Sequence, residues 1–205
     1  MLSVNVARLR DLRVLDGRTI RTGLFKEPVA GPVMARRLGL DGDAIGDPRL
    51  HGGEEKAVYA YAKEDVEWWE GELGRGLEEG FFGQNLTLAG LDASAAVVGE
   101  HWRVGGATFE VAGPRLPCFK LAARVGDRGF EKRFGRARRP GAYLRVVEEG
   151  ELGPGDGVDV VKRPQHGVTN ALVSRAALGE RGLREQALRA PQLQEGLRRQ
   201  LQRAR

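Results

Sequence analysis

The sequence predicts a mainly β fold with added helices (α+β), a barrel-like body of short strands followed by a helical tail. Three observations carry that prediction. Thirty glycines and nine prolines, most of them before residue 160, break the chain into many short apolar runs, the texture of a β-rich barrel rather than of alternating βαβ units. Between 61 and 74 the apolar period switches to that of a helix, with Ala62, Val66, Trp69 and Leu73 on one face. After Pro164 glycine becomes sparse and Arg, Gln, Ala and Leu dominate, which reads as helix. The division that follows is a barrel domain over 1–164 and a helical extension over 165–205.

Taken in order, the expected strands are Leu2–Leu9, Thr19–Lys26, Pro32–Leu38, Ala57–Tyr61, Asn85–Ala89, His101–Val104, Thr108–Val111, Tyr143–Val147 and Val158–Val161. The clearest hairpin alternates Trp102 and Val104 with Ala107, Phe109 and Val111 about Gly105-Gly106, a pair that tolerates a tight turn. The helix near 62–73 is expected to plug or flank the barrel, with Trp69 in the core. A short helix over Phe119–Arg124 is expected to start directly after Cys118. In the tail, Leu183 and Ala187 mark one short helix. Pro191 suits the first turn of a last one, whose Leu193, Leu197 and Leu201 form a stripe.

Composition excludes several function classes. With 41% apolar and 30% charged residues the chain reads as a soluble globular protein, without an apolar run of membrane-spanning length or a signal peptide at Met1–Val6. One cysteine makes no internal disulfide, so a reducing, cytoplasmic location is expected. The net charge of +5 belongs to the tail, where residues 165–205 hold eight arginines against three glutamates. Those arginines are expected on the solvent face of packed helices. No basic residues there interleave with aromatics for base stacking, which argues against nucleic acid.

The stretch most suggestive of chemistry is Pro114-Arg115-Leu116-Pro117-Cys118-Phe119-Lys120. Two nearby cations and a helix start favour a thiolate, the form that attacks electrophiles or binds a soft metal. The alternative is that Cys118 is small buried packing material. Gly52-Gly53 with His51 and Lys56 form a second candidate, since glycine lets backbone amides approach an anion while Lys56 adds a charge and His51 a switchable donor. A plain turn is the other reading. In Phe82-Gly83-Gln84-Asn85-Leu86-Thr87, the Asn85 amide suits a heterocycle edge or its own turn backbone. The segment 128–139 holds six cations, Arg138 and Arg139 among them, and reads as either a phosphate landing surface or a solvated loop. No Gly-x-Gly-x-x-Gly follows a strand, no Walker loop is present, and the three histidines lack metal-ligand spacing.

Four blocks in order resemble the MOSC domain, named for the C-terminal domain of molybdenum cofactor sulfurase, and most closely its bacterial YiiM-like branch. They are Gly42-Asp43 through His51-Gly52-Gly53 to Lys56-Ala57-Val58; Phe82 to Thr87; Pro114 to Cys118; and Gly141-Ala142-Tyr143-Leu144-Arg145-Val146 with Gly155-Asp156. The resemblance implies a MOSC-type β-barrel that binds the molybdenum cofactor (molybdopterin), with Cys118 as the molybdenum ligand. Lys56, Asn85, Arg115, Gly52, Gly53, Arg138 and Arg139 would then be cofactor-binding, and His51 would orient the cofactor or donate a proton. Gln84 departs from the glutamate common in the family. Two activities follow from the resemblance. One is a reductase of N-hydroxylated compounds such as hydroxylaminopurine bases, fed with electrons by a separate flavoprotein or iron–sulfur protein. The other is a cofactor or persulfide carrier without turnover. Pyridoxal phosphate belongs to the family only through a fused sulfurase domain that this sequence does not contain. The final apolar stripe would fit its own barrel or a second copy's, as in a homodimer.

Overall fold

In the computed structural model, which describes residues 1–47 and 52–203, the chain forms thirteen strands and six helices. The strands are β1 (Ser3–Ala7), β2 (Arg10–Arg13), β3 (Thr19–Thr22), β4 (Lys26–Pro28), β5 (Val33–Arg36), β6 (Gly39–Leu40), β7 (Val58–Ala62), β8 (Leu86–Leu88), β9 (His101–Val104), β10 (Ala107–Gly113), β11 (Ala142–Glu148), β12 (Gly150–Leu152) and β13 (Val158–Lys162). The helices are α1 (Lys63–Leu73), α2 (Phe119–Val125), α3 (Phe130–Ala137), α4 (Asn170–Ala177), α5 (Arg184–Leu188) and α6 (Glu195–Arg203). A 3₁₀ turn at Glu54–Lys56 precedes β7.

Eight strands pair in the order β13-β9-β10-β11-β7-β8-β1-β4, antiparallel throughout except for the parallel pair β7–β8. A smaller sheet, β12-β5-β6, contributes Leu152, Ala35 and Leu40 to the same interior as Val4, Trp102, Phe109 and Leu144 of the large one. The interior is thus barrel-like, but the large sheet stays open: among the described residues no pairing joins β13 to β4. Both ends carry a feature that interrupts a ladder. The edge strand β4 ends in Pro28, which has no N–H to donate, and β13 shifts register between Val160 and Lys162.

β7 explains why the sheet has two cores. Every residue of Val58-Tyr59-Ala60-Tyr61-Ala62 is buried, and the period of two sends Val58 and Ala60 into the interior and Tyr59 and Tyr61 to the opposite face. On that face Trp69 of α1 meets Phe82, Phe130 and Phe134, with the Phe134 ring stacked 5.9 Å away at 6°. Gly141 lies where β11 joins β7; it has φ +65°, and an added Cβ would fall 2.6 Å from the Ala60 carbonyl oxygen. Only glycine fits there.

The tail forms a third core in which Val173, Ala187, Leu193, Leu197 and Leu201 surround Val98 of the body, with Leu116 packed against it. Its entry is fixed by backbone bonds from Asn170 to Ala96 O and from Ala171 to Ser94 O, and by the Thr169 hydroxyl, which accepts from the Leu172 amide as an N-cap. The expected leucine stripe exists, with the helix starting at Glu195 rather than near Pro191. Other expectations are corrected. Thr19–Lys26 is two strands, broken at Gly23-Leu24; β2, β6 and β12 were not expected; and 130–137, expected as a cationic loop, is α3. Among the described residues no helix is long and apolar enough to cross a membrane.

Candidate active site

The segment Pro114–Cys118 leaves β10 and feeds α2. Its prolines cannot donate to a ladder, so the chain departs from the sheet here. Cys118 is extended (φ −142°, ψ 153°) and immediately precedes the helix, its carbonyl accepting from the Leu121 amide at 3.0 Å. The thiol is half-buried. Behind it lies Arg115, only 6% exposed, with one guanidinium nitrogen 3.8 Å from Cys118 Sγ, another donating to the Phe82 carbonyl, and its carbon 5.1 Å from the Tyr59 ring centre. Burial works against that charge, yet Cys118, Tyr143 and Tyr59 outweigh it and hold the guanidinium above its ordinary pKa.

Two clefts meet at this point. Atom-free space, counting solvent at the mouths, is about 620 Å³ in the first and about 1120 Å³ in the second. Lys56, Arg115, Cys118 and Tyr143 line both. The first cleft adds Lys26, Lys120, Asp43, Asp47, Tyr59 and Asn85, so four cations face two carboxylates and the lining suits an anion. The second runs from Gly52, Gly53, Glu54 and Glu55 across Pro114–Pro117 to Gln194, Gly196, Leu197 and Gln200 of the tail.

The floor of the first cleft is a buried polar lock. Asp43 accepts from Lys26 Nζ at 2.5 and 2.6 Å, from the Ala7 amide at 2.7 Å and from Asn85 Nδ2 at 2.8 Å. Asn85 Nδ2 also reaches the Asn5 carbonyl, and Asn85 Oδ1 accepts from the Tyr59 amide at 3.0 Å. The side chain read as a heterocycle reader therefore spends its polar atoms on the protein. Burial lowers the Lys26 pKa; Asp43 opposes that shift and Arg115 adds to it. Gln84 is fully buried, its Oε1 accepting from the Phe82 amide and its Nε2 donating to Thr87 Oγ1 at 3.4 Å, a donation that a glutamate would not make.

The expected site residues thus divide. Lys56, Arg115, Cys118, Asn85, Gly52 and Gly53 are brought together, whereas His51 lies outside the described residues. Arg138 and Arg139 line neither cleft. Arg138 has φ +57° at the end of α3 and faces Glu180 at 3.8 Å; Arg139 pairs with buried Asp65 and covers the Trp68 ring at 5.0 Å. Arg139 thus neutralises a buried carboxylate, while the exposed Arg138–Glu180 pair is a surface contact. Sequence reasoning missed Lys26, which no local pattern marks, and Gln194, Gly196 and Gln200 of the tail, which no motif singled out. Lys120 was expected as one of the two cations beside Cys118 and does line the first cleft, while Tyr143 was inside a quoted block without being singled out. Among the described residues no group of three or more His, Cys, Asp or Glu could hold a metal ion.

Comparison with known proteins places this arrangement. The family model of the MOSC domain matches residues 47–159, which include Lys56, Asn85, Arg115, Cys118 and Tyr143. An uncharacterized protein YflK of Bacillus subtilis (strain 168) is 35% identical over 175 residues, 85% of this chain and 79% of that protein. Protein YiiM of Escherichia coli (strain K12) is 28% identical over 159 residues, 76% of this chain and 69% of that one. A protein of Gibberella moniliformis (strain M3125 / FGSC 7600) named reductase is 29% identical over 168 residues, covering 80% of this chain but 29% of that much longer protein. Among solved structures, YiiM from Geobacillus stearothermophilus superposes with a TM-score of 0.81 at 29% identity, over 98% of this chain and 96% of that one. With four sequence blocks, the fold and the thiol-centred clefts in agreement, the chain belongs to the MOSC domain family.

Proposed function

We propose that this MOSC protein binds the molybdenum cofactor across the two clefts, with the Cys118 thiolate as metal ligand, and reduces N-hydroxylated compounds such as hydroxylaminopurine bases. The observation that carries the proposal is the position of the single cysteine: half-buried, where two clefts join, with a buried guanidinium 3.8 Å from its sulfur. The donor set fits the group, because a soft thiolate is a preferred partner for a metal held by sulfur ligands and the cationic first cleft suits a phosphate. The relative named reductase supports a reductive chemistry.

In that reading each side chain has a task. Arg115 fixes a positive charge beside the thiolate and, tied to Phe82 and Tyr59, cannot swing away. Lys56 and Lys120 line the first cleft and would provide cations for an anionic tail. When bound, the cofactor supplies a two-electron redox centre, replenished by a separate flavoprotein or iron–sulfur partner. The overall change breaks the N–O bond of R–NHOH, with two electrons and two protons giving R–NH₂ and water. Tyr143 lines both clefts, and burial raises its pKa, so its phenol is protonated at neutral pH and donates a hydrogen bond toward the departing oxygen.

The test is molybdenum per chain in wild type and Cys118→Ser, both made in a host that synthesises the cofactor, followed by conversion of 6-hydroxylaminopurine to adenine with a chemical reductant. Metal near one per wild-type chain, at least tenfold less in the variant, and turnover confined to wild type are expected. Metal without turnover would assign the carrier function instead. Folded wild type devoid of metal would overturn cofactor binding.

A further inference from the structure

Charge is unevenly placed along this chain. Residues 165–205 carry the whole formal excess of +5, eight arginines against three glutamates, while 1–164 balance 25 basic residues against 25 acidic ones. Part of that excess is spent inside the tail: Glu180 takes Arg175 at 2.5 Å and Arg138 at 3.8 Å, and Glu195 takes Arg199 at 2.8 Å. The rest is not. Arg198 donates to the Leu188 and Ala190 carbonyls, which leaves its charge in place. Arg181, Arg189 and Arg203 are exposed and have no ion pair among the described residues, against a single unpaired carboxylate of the tail, Glu185.

Helix α6 brings part of this charge to the site. Its Leu197 and Leu201 are buried in the tail core, so Gly196, Arg199, Gln200 and Arg203, spaced by three and four, form an exposed face. These four line a surface groove, and because Gly196 and Gln200 also line the second cleft, the groove continues that cleft outward from Cys118. The helix is firmly held. Both oxygens of Glu55 accept from the Glu195 amide at 3.0 Å, where the helix dipole favours negative charge, and Gln200 Nε2 donates to the Ala177 carbonyl at 3.1 Å. The barrel carboxylates beside it do not cancel its cations, since Glu54 is paired with Arg37 at 2.8 Å and Glu55 with Arg145 at 2.7 Å. One side of α6 is therefore the tail wall of the second cleft, and the other is a free cationic face at the mouth of that cleft.

We infer that the exposed face of α6, centred on Arg199 and Arg203, docks an acidic electron-donor protein, the separate flavoprotein or iron–sulfur partner of the reductase reading, on which this partner's identity rests. Arginines spread over two turns of one helix match a broad negative protein surface better than a single small anion. Nucleic acid fits less well, because residues 165–205 contain no Phe, Tyr or Trp on which a base could stack. A face rich in charge and poor in apolar area favours rapid encounter and easy release, which suits a donor that must leave once it has delivered its electrons. Two electrons passed at this face leave the donor oxidised and equal the two that break one N–O bond.

The probe is flavodoxin, an acidic flavin protein, titrated calorimetrically into the molybdenum-loaded full chain at low and high ionic strength; 6-hydroxylaminopurine reduction is then driven either by reduced flavodoxin or by dithionite. Arg199→Glu combined with Arg203→Glu reverses the face, and Arg203→Glu alone, which leaves the Arg199–Glu195 pair intact, serves should the double variant fold poorly. Flavodoxin affinity and flavodoxin-driven rate are expected to fall about tenfold or more in the variant, with molybdenum content and dithionite-driven rate unchanged, and wild-type affinity is expected to fall at high salt. No flavodoxin binding by wild type at low ionic strength, or equal affinity in a folded variant, would overturn the inference. So would a dithionite-driven rate that drops in step with the flavodoxin-driven one, because the face would then act on the site itself. Oligothymidylate bound more tightly than flavodoxin, and lost in the same variant, would overturn it in favour of nucleic acid. Flavodoxin held through these arginines by a protein that reduces hydroxylaminopurine with neither donor would leave the docking face standing and remove the reductase.

Discussion

The carboxylate of Asp43 accepts from Lys26, Asn85 and the Ala7 amide at once, and with side chains only 8% and 4% exposed the Lys26–Asp43 pair has little water to fall back on. Removing one partner of a buried pair strands the other, at a cost of about 3–5 kcal/mol. Asp43→Asn is therefore expected to lower stability by about that amount in urea unfolding. The deficit has a pH dependence whose sign is fixed. Burial already places the folded-state pKa of Lys26 below its unfolded value, so between those two values the unfolded chain binds more protons and stability rises with pH. Loss of Asp43 lowers the folded value further and widens that window downward. The difference between variant and wild type should shrink as pH approaches the ordinary lysine range, and a deficit that grew with pH would contradict the account. At this scale the sequence was most legible where chemistry is local. Cys118 with Arg115 three residues earlier stands out in any reading, whereas Lys26 finds its partner 17 residues away and leaves no local mark. Arg138 and Arg139 show the opposite error, since a run of cations reads as a landing surface until Glu180 and Asp65 are seen to occupy them.

Helix α3 carries the corresponding lesson for elements. Phe130 and Phe134 recur at helical spacing and both are buried against Trp69, but six cations around them drew the reading toward a loop. Phe134→Ala should cost about 3–5 kcal/mol, the range for truncating a buried aromatic, and alter the emission of the stacked tryptophan. A loss well under about 1 kcal/mol would mean that the aromatic cluster is not a stabilising core. The strands with clear alternation were recovered, and β9 was recovered to the residue. Of those missed, β6 with two residues and β12 with three are too short for any period to register, and β12 finds its partner β5 more than a hundred residues away, while β2 is a four-residue strand with three charged residues and one buried leucine. The break between β3 and β4 is likewise tertiary: a Cβ at Gly23 would lie 1.9 Å from the Ala44 carbonyl oxygen, so another segment crosses there.

Across the whole molecule, the helical tail shares a core with Val98 and Leu116 and wraps the cleft, so body and tail are expected to unfold together. Because Trp68, Trp69 and Trp102 all lie in the body, tryptophan fluorescence reports the barrel while far-ultraviolet dichroism includes the tail helices. Coincident urea transitions by the two probes are expected; a tail that melted first would separate it from the site it lines. Glu55 also has a consequence for how the protein is made. Its carboxylate waits for an amide 140 residues downstream, and the wall that partner belongs to is synthesised after Lys26, Asp43, Asn85, Arg115 and Cys118. On the ribosome, the Cys118 sulfur therefore emerges before the surface that will flank it.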